Sequence, residues 1–71
     1  MNFSALDLVN LADDLNLAPL EAVYLGSAMR LVAKLGKLSA SQALDAVRST
    51  PKLADYLRDR LQACAAAHLN A

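Results

Sequence analysis

Apolar residues in this chain recur every three to four positions and alternate over no stretch long enough for a strand, a spacing that commits it to helices. β-Branched and aromatic residues form no alternating run, and no Asn-Gly or Asp-Gly pair offers a hairpin turn. The fold class read from the sequence is therefore all-α, and local punctuation divides the chain into four helices. Ser4 suits an N-cap, with Asp7 three residues on and Phe3 placed to staple onto Leu8, which opens a helix over 5–16 with its stripe at Leu8, Leu11, Ala12 and Leu15. Pro19 fits the first position of a second helix over 19–35, since its missing N–H would find no intrahelical partner there. Glu21 falls in that helix's first turn, and Gly36 is expected to take the left-handed position that ends it.

Ser39 and Gln42 have capping-box spacing and start a third helix over 40–49. Thr50 and Pro51 end it and launch a fourth over 51–69, on which Leu53, Leu57, Leu61, Cys64 and His68 share a face. Connections this short favour antiparallel neighbours, so the expected architecture is a compact four-helix bundle.

Seventy-one residues leave room for a single helical domain, 1–71. A chain of this size buries only about 60% of the surface its unfolded form exposes, so a large catalytic cleft is not expected. With 56% hydrophobic and 4% aromatic residues, its core must be aliphatic and padded with alanine. Seven bases balance seven acids, but unevenly along the chain: residues 1–29 hold Asp7, Asp13, Asp14 and Glu21 with no base, whereas residues 30–71 hold all seven bases against three acids. A fold that joins the halves is a dipole able to orient on a partner or on a second copy of itself.

Cys64 is the single cysteine, which rules out an intramolecular disulfide and suits a reducing compartment. The stretch from Met1 to Asn16 is broken by acids and lacks the layout of a signal peptide, and no apolar run approaches the ~18 residues of a membrane span. The expected setting is cytoplasmic, with no membrane partner.

Candidate chemistry is sparse, and no catalytic, cofactor-binding or metal-binding residue is assigned. Cys64 and His68 stand at i, i+4, but a zinc site needs about four ligands and the chain has no second cysteine or histidine. They read as packing residues. Asp55 and Asp59 share a helix face beside Lys52 and Arg58, which reads as solvated charge with local pairing. Gly26 and Gly36 cannot build a phosphate cradle, and nothing around Ser27 makes a nucleophile elbow. The chain is accordingly read as non-enzymatic. Tyr24 and Tyr56 suit an interface or a core margin equally.

The second helix is apolar on two faces. Leu20, Tyr24, Ala28, Leu31 and Leu35 form one stripe, the one expected to face the core. Ala22, Gly26, Met29 and Ala33, extended by Leu25, form another, with Arg30 and Lys34 along its flank. Such a helix is either central to the fold and covered on both sides, or it leaves the second stripe exposed for docking. The functional expectation is a small protein–protein interaction module, acting as a regulator, inhibitor or adaptor. It would dock on a larger protein, or pair with a second copy, through Ala22, Leu25, Gly26, Met29, Arg30, Ala33 and Lys34. The alternative is a DNA-binding helix-turn-helix made by the third and fourth helices, using Arg48, Lys52, Arg58 and Arg60. Against it stand the absence of a glycine in the turn, the acids beside those bases and the zero net charge.

Overall fold

A computed structural model describes residues 3–70; Met1, Asn2 and Ala71 of the expected domain lie outside the described residues. The described residues form five helices and no strand: α1 (Ala5–Asp14), α2 (Pro19–Val23), α3 (Leu25–Gly36), α4 (Ala40–Ser49) and α5 (Pro51–Leu69). Their starts follow the expected local chemistry. The Ser4 hydroxyl accepts a hydrogen bond from the Asp7 amide at 3.1 Å. Ser39 and Gln42 exchange reciprocal bonds at 3.2 and 2.9 Å, which satisfies two amides left without helical partners. Ala18 has no capping side chain, and the Glu21 carboxylate reaches back to its amide at 2.8 Å.

The second expected helix is not continuous. At Tyr24 the amide bonds to the carbonyl of Glu21, three residues back, so one turn is tightened and α2 gives way to α3. The Gly26–Ser27 pair, a sequence that readily accommodates bends, follows within a turn. The two segments take different neighbours: α2 packs on α5, and α3 packs on α4 and meets α5 over a shorter stretch. α1 lies against both α2 and α3. The Cα radius of gyration is 11.4 Å, close to the value of about 11 Å expected for a compact chain of this length.

The core is wholly apolar. Leu11, Leu15, Leu25, Met29, Ala33, Ala43, Leu44, Val47, Leu57 and Leu61 form one buried cluster, and no polar or charged residue is buried among the described residues. On α5 the buried face is Leu57, Leu61 and Ala65; Cys64 and His68, expected to pack, are exposed. The end of α1 is held from two directions. Arg48 pairs with Asp14 at 2.9 Å, and the Arg58 Nε donates to the carbonyl of Leu15 at 3.2 Å while its Nη1 reaches Asp55 at 3.0 Å.

Both α1 and α3 end in left-handed turns, and neither uses glycine. Asn16 (φ 54°) closes α1, with the Leu17 amide bonded to the Ala12 carbonyl at 3.0 Å. At α3 the left-handed residue is Lys37 (φ 53°), not the expected Gly36, because the helix runs one residue further. That extension carries Leu38 back onto the core, with its amide bonded to the Ala33 carbonyl at 2.9 Å. Gly36 provides space instead, since a Cβ there would meet Leu38 side-chain carbons at 3.2 Å. Lys37→Gly is therefore expected to stabilise the fold by about 1 kcal/mol, read as a rise in melting temperature of roughly 4–8 °C. An unchanged or lower melting temperature would show that Lys37 is not strained.

Candidate functional site

The two apolar faces of the second expected helix have exchanged roles over its second half. Leu25, Met29 and Ala33, expected as a docking stripe, are fully buried against the rest of the subunit. Ala22 and Gly26 are half-buried on the side that meets α1, where a Cβ on Gly26 would sit 3.3 Å from a Leu8 methyl carbon. Arg30 and Lys34 are exposed and no longer border an open apolar stripe formed by those residues. The expected contact face is thus sealed within one subunit. The physical reason is size: glycine and alanine let neighbouring backbones approach closely, so this is the face that packs best.

Of the face expected to be core, Leu20, Tyr24 and Ala28 are half-buried, with Tyr24 and Ala28 packed on the core, and Leu31 and Leu35 are open. Leu31 is 48% exposed and Leu35 76%, and across from them on α5 Tyr56 is 59% exposed. These three line a groove of about 250 Å³ between α3 and α5, floored by Ala28, Val32, Leu57 and Leu61. The groove lies beyond the interruption at Tyr24, where α2 packs on α5 and α3 packs mainly on α4. At one end the Tyr24 hydroxyl and His68 Nδ1 are 3.1 Å apart, a hydrogen bond whose direction follows the imidazole tautomer, with the rings edge to face at 6.4 Å. This contact ties the last turns of α5 to the α2–α3 junction.

Polar groups in the groove are few. Ser27, Cys64 and Arg60 line it, and Arg60 is its single charged residue. α3 carries Arg30 and Lys34 and no acid, and Lys34 lies one helical turn from Leu31 on the solvent side. The groove is therefore apolar in its body, with Arg60 the one charge in its lining and exposed Lys34 and Asp59 each one turn from Leu31 and Tyr56 on its flanks.

Two further depressions are less apolar or shallower. One, between α1, α4 and α5, is lined by Asp14, Arg48, Asp55 and Arg58, whose charges are already engaged with one another. The other, between α1 and α2, is lined by Leu8, Val9, Ala12, Asp13, Leu17 and Pro19. Among the described residues no three His, Cys, Asp or Glu side chains gather in a way that could hold a metal ion, and no helix is long and apolar enough to cross a membrane.

Sequence reasoning missed the groove, although one signal was present. Leu31 and Leu35 pair with Tyr56 and Cys64 as a second apolar seam once Leu57, Leu61 and Ala65 are assigned to the core. Of the four bases invoked for DNA contact, Arg48 and Arg58 are bound to Asp14, Asp55 and the Leu15 carbonyl. No protein-family model, curated protein or solved structure matches the chain.

Proposed function

We propose that this chain is a small non-enzymatic interaction module whose docking surface is the groove between α3 and α5. Its scaffold is a four-helix bundle in which α2 and α3 count as one bent arm. It acts by occupying a helical segment of another polypeptide, as a regulator, inhibitor or adaptor does. The observation that carries this reading is the grouping of Leu31, Leu35 and Tyr56, all largely exposed, along one apolar groove. The occupant that fits is an amphipathic helix, with apolar residues at i, i+3 and i+7 to fill the groove and acidic residues to meet Arg60 and Lys34.

The test is a nuclear magnetic resonance titration of the full chain with two synthetic helices that share a leucine stripe and differ in flanking charge. The glutamate-flanked helix is expected to shift the Leu31, Leu35, Tyr56 and Arg60 signals and to bind about tenfold more tightly than the lysine-flanked one. Absence of groove shifts with either helix would remove the proposal. A salt-dependent shift with random duplex DNA, centred on Lys52 and Arg60, would favour the helix-turn-helix alternative instead.

A further inference from the structure

An acid-flanked amphipathic face of the kind the groove fits is present on this chain itself. Leu6 is 68% exposed and Val9 57%, and both lie on the outer side of α1. Asp13 follows Val9 by one turn and is exposed, so Leu6, Val9 and Asp13 make an i, i+3, i+7 stripe, apolar along most of its length and acidic at one end. α1 holds Asp7, Asp13 and Asp14 and no base, with Asp14 already paired to Arg48, whereas the groove has Arg60 as the one charge in its lining, with Lys34 of α3 and Asp59 of α5 exposed on its flanks. The charge carried within each exposed apolar face is therefore opposite in sign, Asp13 on one and Arg60 on the other.

Their placement prevents one molecule from satisfying itself. α1 sits on the Gly26 side of α3, with its Leu8 against Gly26. Leu31 and Leu35 follow Gly26 by five and nine residues, which puts them roughly 140° and 180° around the helix, on the far side. A subunit cannot fold its own α1 into its own groove, and a contact between the two faces must join different copies.

We propose that the groove of one copy receives the outer face of α1 from a second copy, so that the chain self-associates head to tail. This rests on reading the groove as a docking surface and names its occupant. Leu6 and Val9 enter the apolar groove between Leu31 and Tyr56, and Asp13 lies against the Arg60 and Lys34 rim. A twofold groove-to-groove dimer would instead bring two sets of Arg60 and Lys34 together, which like-charge repulsion opposes. Because donor and acceptor faces lie on opposite sides, each added copy leaves one of each exposed, and growth continues as an open series. A stable interface buries about 800 Å² per partner, and one ten-residue helix in a groove falls short of that, so the association is weak and concentration-dependent.

The experiment is sedimentation of the full-length chain over a wide concentration range, with two surface variants. For the wild type, the weight-average mass is expected to rise from 7.5 kDa past twice that value and to fall again in high salt. Val9→Glu blocks the α1 face and Leu31→Glu blocks the groove, and each alone is expected to stay monomeric. An equimolar mixture of the two is expected to give a one-to-one heterodimer and nothing larger, because each variant keeps the face the other has lost. Leu6→Glu and Leu35→Glu are the substitutes if a first variant melts below the wild type.

A wild type that stays monomeric into the millimolar range would overturn the inference, as would a Val9→Glu protein that still dimerises or a mixture that forms no heterodimer. If the wild type is monomeric while the glutamate-flanked helix still binds, self-association fails and the docking reading stands; if neither occurs, both fail.

Discussion

Replacing Met29 by alanine is expected to lower unfolding free energy by about 2–5 kcal/mol, whereas Leu35→Ala is expected to stay within roughly 0.5 kcal/mol of the wild type. Both are long apolar side chains on α3, six residues apart, and a sequence reading ranks them the other way. Met29 is fully buried in the cluster with Leu25, Ala33 and Leu61, so truncation removes its transfer free energy and leaves a cavity that rigid helices fill only in part. Leu35 is 76% exposed at the groove mouth, and its loss empties nothing. A domain of this length has about 4–11 kcal/mol of total stability, so Met29→Ala removes a large fraction of it. The melting temperature should fall by at least 10 °C, against a shift of a few degrees for Leu35→Ala. Urea melts of the pair decide the point. Equal losses, or a greater loss at Leu35, would mean that α3 presents its other face to the core.

The same contrast explains what was legible in the sequence. Helix starts depend on chemistry within four residues, and Ser4, Pro19, Ser39 with Gln42, and Pro51 mark them in the string as they do in space. The end of α4 falls at Ser49 for a similar local reason, the extended Thr50 before Pro51, and α1 stops two residues before the expected Asn16, which becomes its left-handed cap. The choice of face on α3 is different in kind. Two apolar stripes compete, and the larger side chains of Leu31 and Leu35 made theirs look like the core. Close packing favoured the stripe with Gly26 and Ala33, a preference that depends on the shapes of α1 and α4 and that no window of α3 contains. The break at Tyr24 was illegible for the same reason, since 19–35 has continuous helical periodicity and the interruption shows itself in the Tyr24–Glu21 bond and in the different partners of α2 and α3. The Arg48–Asp14 pair and the Arg58 bond to Leu15 join residues more than thirty positions apart, beyond the reach of any spacing rule.

Substituting Gly26 separates a buried helix from a docking helix most directly. Gly26→Ala is expected to be neutral or to stabilise by up to about 1 kcal/mol, because alanine recovers the helix propensity that glycine lacks. Its Cβ would meet the Leu8 methyl carbon at 3.3 Å, a contact a flexible side-chain end can relieve by a few tenths of an ångström. Gly26→Leu carries three more carbons into the same space. Leu8 packs on the core, and behind it Leu11 and Leu15 are buried, so α1 cannot slide aside without exposing them. Overpacking of this kind typically costs about 1–3 kcal/mol, and here the upper end is expected because the obstacle is a whole helix already pinned by Arg48 and Arg58. The result should be a protein with a lower melting temperature in which α1 amides exchange with solvent faster than those of α4 and α5, while Gly26→Ala keeps them protected. Were Gly26→Leu to melt like the wild type, with α1 still protected, Gly26 would have to face open solvent, and the packing of α1 against α3 that separates the two exposed apolar faces would be wrong.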